Sequence, residues 1–408
     1  MDQSLFGIFF NTSVFASAML VAFVFYWLKN ARYERMEKKI NSHVPTRFVA
    51  LIAASNEEMG IERSILSLRK QKKIESVVVV LNNTNDSTPV ILEKLQRKYG
   101  KWLVVLTMKR NLSKKSGALN YGLRYIDKKY GECRDDYIVL TLDADTIVGP
   151  RICREVAEVF KNNPHAGGAN VQCLLQGLDT ITNGERPRFM QRVWYAFQTV
   201  EYTLAMPQKI SQHPKTRILA GACTALRLSA LKDVCLSRRV AWRNKALVED
   251  YDLTRTLHKL GWETPPVDVE AYTEVPLSAK TLYRQRRRWY SGTVTMLWGD
   301  LKKKFVWDDA VILLNVFLAP FLFLLQILII ALVIASSNLM LFICLPFFIT
   351  AFAYSVQFVA FHKKRHGKSL LAWVVVLVPY VYLIYVMWNE MLYAASIVVS
   401  MKKIERSW

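Results

Sequence analysis

The most informative segment of the chain reads Tyr137-Ile138-Val139-Leu140-Thr141-Leu142-Asp143-Ala144-Asp145-Thr146. Its β-branched and aliphatic residues predict a buried strand, and the two aspartates at its end are followed by the turn residues Gly149-Pro150. Ligand sites in open α/β sheets lie beyond the carboxyl ends of the strands. Asp143 and Asp145 are therefore candidates for holding a hard divalent cation that also binds phosphate oxygens. The alternative is that Asp143 caps the next helix and Asp145 is only solvated.

The residues before this segment alternate between predicted strands and predicted helices. Strands are predicted over 47–54, 77–81 and 103–107, with helices over 61–72 and 90–99 between them. This alternation, with short polar connections, predicts a doubly wound and mostly parallel α/β sheet. No G-x-G-x-x-G motif follows the first strand and no P-loop motif occurs, so neither dinucleotide binding nor P-loop chemistry is supported.

Three further clusters carry charges that suit phosphate or proton chemistry. Lys115 opens a predicted helix, where a lysine and backbone N–H groups can meet a phosphate, although a solvated lysine is the alternative. Residues 249–252 put three acids ahead of another helix, as a site or as an acidic cap. Residues 283–290 place four arginines beside Trp289, where they can clamp a diphosphate or contact lipid headgroups.

The two ends of the chain are strongly apolar. Residues 5–28 form an uncharged run of membrane-spanning length, roughly 20 residues being required, and basic residues follow it at once. The positive-inside rule then places the N-terminus outside and the middle of the chain in the cytoplasm. We predict an N-terminal transmembrane helix within residues 1–30 and a cytosolic domain over 31–300 that ends in an interfacial helix near 280–300. A C-terminal membrane domain of about three hydrophobic helices is predicted over 301–408.

The last apolar run, residues 369–400, is longer than one straight span requires. Pro379 can divide it into an interfacial piece and one span, as hydropathy favours. Two short re-entrant segments would instead return the basic C-terminal tail to the cytoplasm, as the positive-inside rule favours. Both arrangements agree with the sequence.

The charge and the cysteines narrow the class of protein. The net charge is +22, but no nucleic-acid-binding motif accompanies it, and a membrane protein uses such cations against the anionic cytoplasmic leaflet. We therefore predict no nucleic-acid partner. The six cysteines are isolated, without C-x-x-C pairs or histidines at metal-ligand spacing, which is typical of reduced cysteines in a cytosolic domain.

Taken in order, these segments resemble the membrane-integrated inverting glycosyltransferases of family 2, the group that contains cellulose, chitin and hyaluronan synthases. The resemblance covers roughly residues 45–300. Its weight comes from the order of several motifs, since each alone is weak. They are residues 54–58, the turn 82–88, Lys115 to Asn120, Asp143-x-Asp145, Glu249-Asp250 and Gln285-x-x-Arg288-Trp289.

The resemblance implies a fold and a set of roles. The cytosolic domain would have the GT-A-type fold, Rossmann-like with a mostly parallel sheet, followed by a helical transmembrane bundle. Asp143 and Asp145 would bind Mg²⁺ or Mn²⁺, and Asp250 would act as the base with Glu249 orienting the site. Gln285 and Trp289 would bind the acceptor. The nucleotide-sugar would contact Ala54, Asn56, Glu57, Asn82, Asp86, Lys115, Asp143 and Arg288.

The expected activity is transfer of a sugar from a nucleotide-sugar, a UDP-hexose or UDP-N-acetylhexosamine, to a growing β-linked polysaccharide. One alternative is a single transfer to a membrane lipid of the ceramide or diacylglycerol type. Another is a transporter whose soluble domain binds nucleotide-sugar only as a regulator. The expected partners are the donor, the acceptor and membrane lipids. The expected location is the plasma membrane, with the catalytic domain in the cytoplasm.

Overall fold

The computed structural model describes residues 44–108, 114–210, 214–243 and 248–301, with six further positions between 385 and 395. The predicted transmembrane helix within 1–30 lies outside the described residues, and so do the predicted spans beyond 301 apart from those six positions. Within the described ranges, no helix combines the length and the apolar character needed to cross a bilayer. The chain divides into two compact units, and the described sheet belongs to the unit that contains Glu37–Trp289.

The described residues form a sheet with helices on both of its faces. The strands are β1 (Arg47–Ala54), β2 (Ile74–Asn82), β3 (Leu103–Met108), β4 (Tyr137–Asp143), β5 (Ile147–Val148), β6 (Gly168–Leu175), β7 (Cys223–Arg227) and β8 (Pro266–Thr273). The helices are α1 (Ile61–Arg69), α2 (Thr88–Tyr99), α3 (Lys114–Tyr130), α4 (Ile152–Asn162), α5 (Leu178–Ile181), α6 (Phe189–Ile210), α7 (Leu228–Arg238), α8 (Glu249–Lys259) and α9 (Ala279–Leu301).

The first four strands create the edge on which the site lies. The strand order is β3-β2-β1-β4-β7-β6-β8-β5, and β3, β2, β1 and β4 are parallel. Ala53 pairs with Asp143 on one side of β1, and Ala54 pairs with Leu81 on the other. The chain runs from β1 outward to β3 and then returns to β4 on the opposite side of β1. The carboxyl ends of β1 and β4 therefore form the switch point of the sheet, where ligands bind in such folds.

The prediction of a mostly parallel sheet is wrong for the second half of the domain. Strand β7 is antiparallel to both β4 and β6, and β5 is antiparallel to β8, so the sheet is mixed. An antiparallel strand begins where its neighbour ends. As a result, the segment before β7 lies beside the end of β4, and Asp143 donates its backbone N–H to the carbonyl of Ala222 at 3.0 Å.

Alternation along the central strands supplies two cores, one on each face of the sheet. Phe48, Ala50 and Ile52 point into the core that α1, α2 and α4 cover, whereas Val49 and Leu51 point into the core that α3, α7 and α8 cover. Side chains two residues apart on a strand share a face, so one apolar run serves both layers. This three-layer packing sets where the strand ends lie, and the candidate site residues follow in the turns beyond them.

Candidate active site

Asp143 and Asp145 lie at the switch point, in a tight turn after β4. The backbone N–H of Thr146 donates to the carbonyl of Asp143 at 3.0 Å and closes this turn. Gly60 packs directly beneath it, because a Cβ atom at position 60 would lie 2.9 Å from the Cα atom of Asp145. A larger residue at position 60 would have to displace the second aspartate. The structure thus explains the location of the aspartate pair through a close backbone approach.

Gln176 holds the same turn from the other side. Its Nε2 atom donates to the backbone carbonyl of Asp145 and, at 3.3 Å, to that of Tyr272. The hydroxyl of Tyr195 donates to the carbonyl of Gln176 at 2.8 Å. Sequence reasoning missed Gln176, because a glutamine just after a strand carries no motif of its own.

Lys115 connects the aspartate pair to the acids of α8. Its Nζ atom is in direct contact with Oδ1 of Asp143, lies 3.5 Å from Oε1 of Glu249, and donates to the carbonyl of Gly221 at 3.3 Å. Burial alone would lower the pKa of this lysine, but Asp143 and then Glu249 outweigh burial and raise it above its ordinary value. Lys115 therefore carries its charge at neutral pH. The structure brings together the lysine and both acidic motifs that the sequence predicted.

Asp250 sits beside Lys115 in a pocket that Gly221 shapes. A Cβ atom at position 221 would lie 2.9 Å from Oδ2 of Asp250, so any larger residue there would have to displace this carboxylate. The backbone N–H of Tyr251 donates to Oδ1 of Asp250 at 2.8 Å. Burial, followed by the charge of Glu249, raises the pKa of Asp250 to about 6, while Lys115 opposes the rise. A carboxylate with this pKa is ionised at neutral pH and is more basic than an ordinary aspartate.

Asn120, five residues after Lys115 on α3, is a buried asparagine that binds the backbone of Ala241 and Trp242. Its side chain accepts the backbone N–H groups of Ala241 and Trp242, each at 3.1 Å, and donates to the carbonyl of Trp242 at 2.6 Å. These bonds fix Trp242 as a wall of the pocket. The other residues lining the pocket are Lys115, Leu119, Thr141, Leu142, Leu219, Gly221, Thr224, Leu226, Glu249, Asp250 and Leu253.

The loops after β1 and β2 are bonded to each other. Asn56 adopts a left-handed conformation, with φ of 58°, and its Oδ1 atom accepts the backbone N–H of Asn85 at 2.7 Å. Oδ2 of Asp86 accepts the backbone N–H of Glu58 at 3.0 Å. Ala54 is buried at the end of β1. The described contacts of Asn56 and Asp86 therefore build the loops.

Asn82, at the end of β2, has unused bonding capacity. Its side chain is only 5% exposed, and its Oδ1 atom is buried without a hydrogen-bond partner among the described residues. A buried carbonyl oxygen in this state costs free energy unless a ligand donates to it. The role of Asn82 in binding the nucleotide stays a prediction.

Glu57 joins the aspartate pair in an acidic cluster. Burial, then the charges of Asp145 and Asp143, raises the pKa of Glu57 to about 8. Burial and the charge of Asp143 raise the pKa of Asp145 to about 7. Such repulsion among hard oxygen donors is what a divalent cation relieves, so the donor set fits Mg²⁺ or Mn²⁺. Within the described ranges, no group of three acidic, histidine or cysteine side chains is arranged so that it could hold a metal ion.

The predicted site residues on α9 have no described contact with the acidic residues of the site. Arg288 is exposed, and no described contact joins it to the carboxylates. Gln285 is half-buried, with its Oε1 atom unpartnered among the described residues. Trp289 is half-buried beneath the guanidinium of Arg286, a residue that sequence reasoning did not single out.

Residues 138–399, more than half of the chain, match the family described as Glycosyl transferase family group 2. The chain belongs to this family, and its described domain has a GT-A-like α/β fold with a mixed sheet. The resemblance seen in the sequence is confirmed at the level of the family.

Among similar proteins is the poly-β-1,6-N-acetyl-D-glucosamine synthase of Staphylococcus epidermidis, 23% identical over 290 residues, which are 69% of this chain and 64% of that protein. The synthase of the same name from Staphylococcus aureus strain COL is 26% identical over 287 residues, which are 68% of this chain and 62% of that protein. The chain thus matches less than two thirds of the length of either relative.

A similar fold occurs in the mannosyltransferase PcManGT from Pyrobaculum calidifontis, solved in complex with GDP-Man and Mn²⁺. The TM-score is 0.53 at 17% sequence identity, over 95% of this chain and 96% of that one. At this identity the comparison supports the fold alone.

Proposed function

We propose that this protein transfers a sugar from a nucleotide-diphosphate sugar to a hydroxyl group of an acceptor, with inversion at the anomeric carbon. The observation that carries the proposal is the position of Lys115 between Asp143 and the Glu249-Asp250 pair. Diphosphate departure needs positive charge, and acceptor attack needs a base. The site offers both within one cluster at the switch point.

The donor half of the site would be formed by Asp143, Asp145 and Lys115. The two aspartates would hold Mg²⁺ or Mn²⁺, and this cation would neutralise charge on the leaving diphosphate. Lys115 would add a fixed positive charge on the side that faces Glu249. The unpartnered Oδ1 atom of Asn82 would accept a hydrogen bond from the nucleobase of the donor. We extend the donor contacts to Ala54, Asn56, Glu57, Asp86 and Arg288 on the basis of the family motifs.

The acceptor half would centre on Asp250. Its carboxylate would take the proton of the attacking hydroxyl as the new bond from oxygen to the anomeric carbon forms and the bond to the diphosphate breaks. One displacement with one base inverts the configuration, so an α-linked donor would give a β-linkage. Glu249 would orient the site, and Gln285 and Trp289 would bind the acceptor sugar.

For the product, we propose a β-linked polysaccharide made from UDP-N-acetylhexosamine or another UDP-hexose. Support comes from the two staphylococcal relatives, which are named as synthases of poly-β-1,6-N-acetyl-D-glucosamine. We further propose an integral membrane protein of the plasma membrane with its catalytic domain, residues 31–300, in the cytoplasm. The support is the apolar segments within 1–30 and 301–408 and the basic residues that flank them.

The test uses the full chain in lipid nanodiscs with Mn²⁺ and a panel of radiolabelled nucleotide-sugars. We expect a ladder of products from one donor, lost in Asp143→Asn and kept in the control Glu93→Gln, which removes an exposed carboxylate on α2. A single organic-soluble product would show that the protein glycosylates a lipid and does not make a polymer. Nucleotide binding without transfer from any donor would refute the enzymatic proposal.

A further inference from the structure

Arg286 is a buried arginine inside the Gln285-to-Trp289 motif. It is only 1% exposed, and its Nη2 atom lies 2.7 Å from Oε2 of Glu201 on α6. Removing a guanidinium from water is strongly unfavourable unless its partners are well placed. A surface helix could carry an apolar residue at this position at lower cost, so the buried charge calls for an explanation.

The guanidinium of Arg286 also covers the indole ring of Trp289. Its central carbon lies 4.3 Å from the ring centroid, within the range of a cation–π contact. Residues three apart on a helix are neighbours, but an arginine side chain has many rotamers and needs an external anchor to stay over a ring. Glu201 is that anchor, because it belongs to a different helix and holds Nη2 in place.

The positive charge of Arg286 also acts on Tyr202, the residue that follows Glu201 on α6. Burial raises the pKa of the Tyr202 phenol above its ordinary value, and the positive charge of Arg286 opposes that rise. Glu201 and Tyr202 are adjacent on α6, so two neighbouring α6 residues interact with this arginine. Trp289 itself remains half-buried.

We propose that Arg286 is a positioning residue: anchored by Glu201, it fixes the indole ring of Trp289 in the orientation that receives the acceptor sugar. The inference rests on the proposed function for the role of Trp289. The arrangement Glu201–Arg286–Trp289 is itself independent of which sugar is transferred.

The first test reads the ring directly and needs no activity. The full chain is labelled with 5-fluorotryptophan in nanodiscs, and Trp289→Phe identifies the fluorine signal of Trp289. We expect Arg286→Met to shift or broaden this signal while the other tryptophan signals and the melting temperature change little. The matched control is Arg124→Met, which removes an arginine lying 5.6 Å from the ring centroid of Tyr121 on the exposed side of α3.

An unchanged Trp289 signal in Arg286→Met would overturn the inference. A change of all tryptophan signals together with a large fall in melting temperature would also overturn it, because Arg286 would then stabilise the whole domain and would not specifically position Trp289. If Arg286→Met fails to fold, Glu201→Gln keeps the arginine and carries the same expectation and the same refutation.

The second test uses the nanodisc enzyme with UDP-N-acetylglucosamine and a β-1,6-linked N-acetylglucosamine oligosaccharide. We expect Arg286→Met to raise the KM for the oligosaccharide about tenfold, with the KM for the donor unchanged. Combined with Trp289→Phe, it should add nothing further, because both changes act through one ring. Additive effects would contradict the inference. Absence of transfer in the wild-type protein would count against the proposed function, and the fluorine signals would then decide the inference alone.

Discussion

Gly221→Ala should separate catalysis from stability in this protein. The new Cβ atom would lie 2.9 Å from Oδ2 of Asp250, with the next contacts of 3.5 and 3.6 Å also to the Asp250 side chain. Ordinary carbon–oxygen contacts lie at about 3.4 Å, so the carboxylate must move by a few tenths of an ångström. The displaced atom is the end of a side chain, so the free energy of unfolding should fall by only about 1 kcal/mol.

The catalytic cost of the same displacement is much larger. Misplacing a reacting group by about 1 Å can cost a hundredfold in rate, so a smaller shift of the proposed base should lower kcat about tenfold. The three atoms nearest to the new Cβ atom all belong to Asp250, and none belongs to the proposed cation ligands Asp143 and Asp145 or to the loops after β1 and β2. Nucleotide affinity should therefore change little.

The assay is donor turnover and thermal unfolding of Gly221→Ala in nanodiscs, beside the control Gly177→Ala. A Cβ atom at position 177 would meet only Thr180, at 3.7 Å, so the control should behave like the wild-type protein. An unchanged kcat in Gly221→Ala would refute the assignment of Asp250. A fall in melting temperature that parallels the loss of rate would show that the position serves folding instead.

Two further predictions concern pH. Asp250 must be ionised to act as a base, so kcat/KM should fall below about pH 6. Lys115→Met should move this fall to higher pH, because the charge of the lysine lowers the pKa of Asp250. An unmoved pH profile would contradict this influence of Lys115 on Asp250. Glu57 and Asp145 have folded-state pKa values of about 8 and about 7, above their ordinary 4.5 and 3.8. Without metal, the unfolded chain releases these protons first as pH rises, so the melting temperature should fall between about pH 5 and pH 8. Mn²⁺ should reverse this fall most strongly near pH 8, and a melting temperature that rises over this window in the metal-free protein would contradict the acidic cluster.

The first half of the domain follows from its sequence to within a few residues. The predicted strand over 47–54 agrees with β1, and the predicted helix over 90–99 lies within α2. Apolar runs of this kind identify strands because both faces are buried. The parallel order then places the residues after each strand on one edge, which is why Glu57, Asn82 and Asp143 lie at the same end of the sheet.

The second half was harder to predict because its strands have weaker patterns. Neither β7 nor β8 is predicted from the sequence: β7 is only five residues long, and the buried and exposed residues of β8 alternate without a strong apolar run. The antiparallel course of β7 brings Gly221 to Asp250, a contact that no motif indicates. Such long-range contacts depend on sheet order, which the local sequence does not specify.

The α9 motif shows the same limit at the level of single side chains. The four arginines of residues 283–290 look alike in the sequence, but only the structure shows that Arg286 is buried against Glu201 while Arg288 is exposed. The choice depends on helix phase relative to α6. Helical spacing indicates which residues share a face, but it does not say which face meets a partner.

The most direct test of the central claim compares Asp250→Asn with the wild-type protein for sugar transfer and for binding of Mn²⁺ and nucleotide. Asparagine has nearly the shape of aspartate but cannot accept the proton of the acceptor hydroxyl. We expect transfer to fall by at least about a hundredfold while Mn²⁺ and nucleotide still bind. Full kcat in Asp250→Asn would contradict it, because the base would then have to be another group.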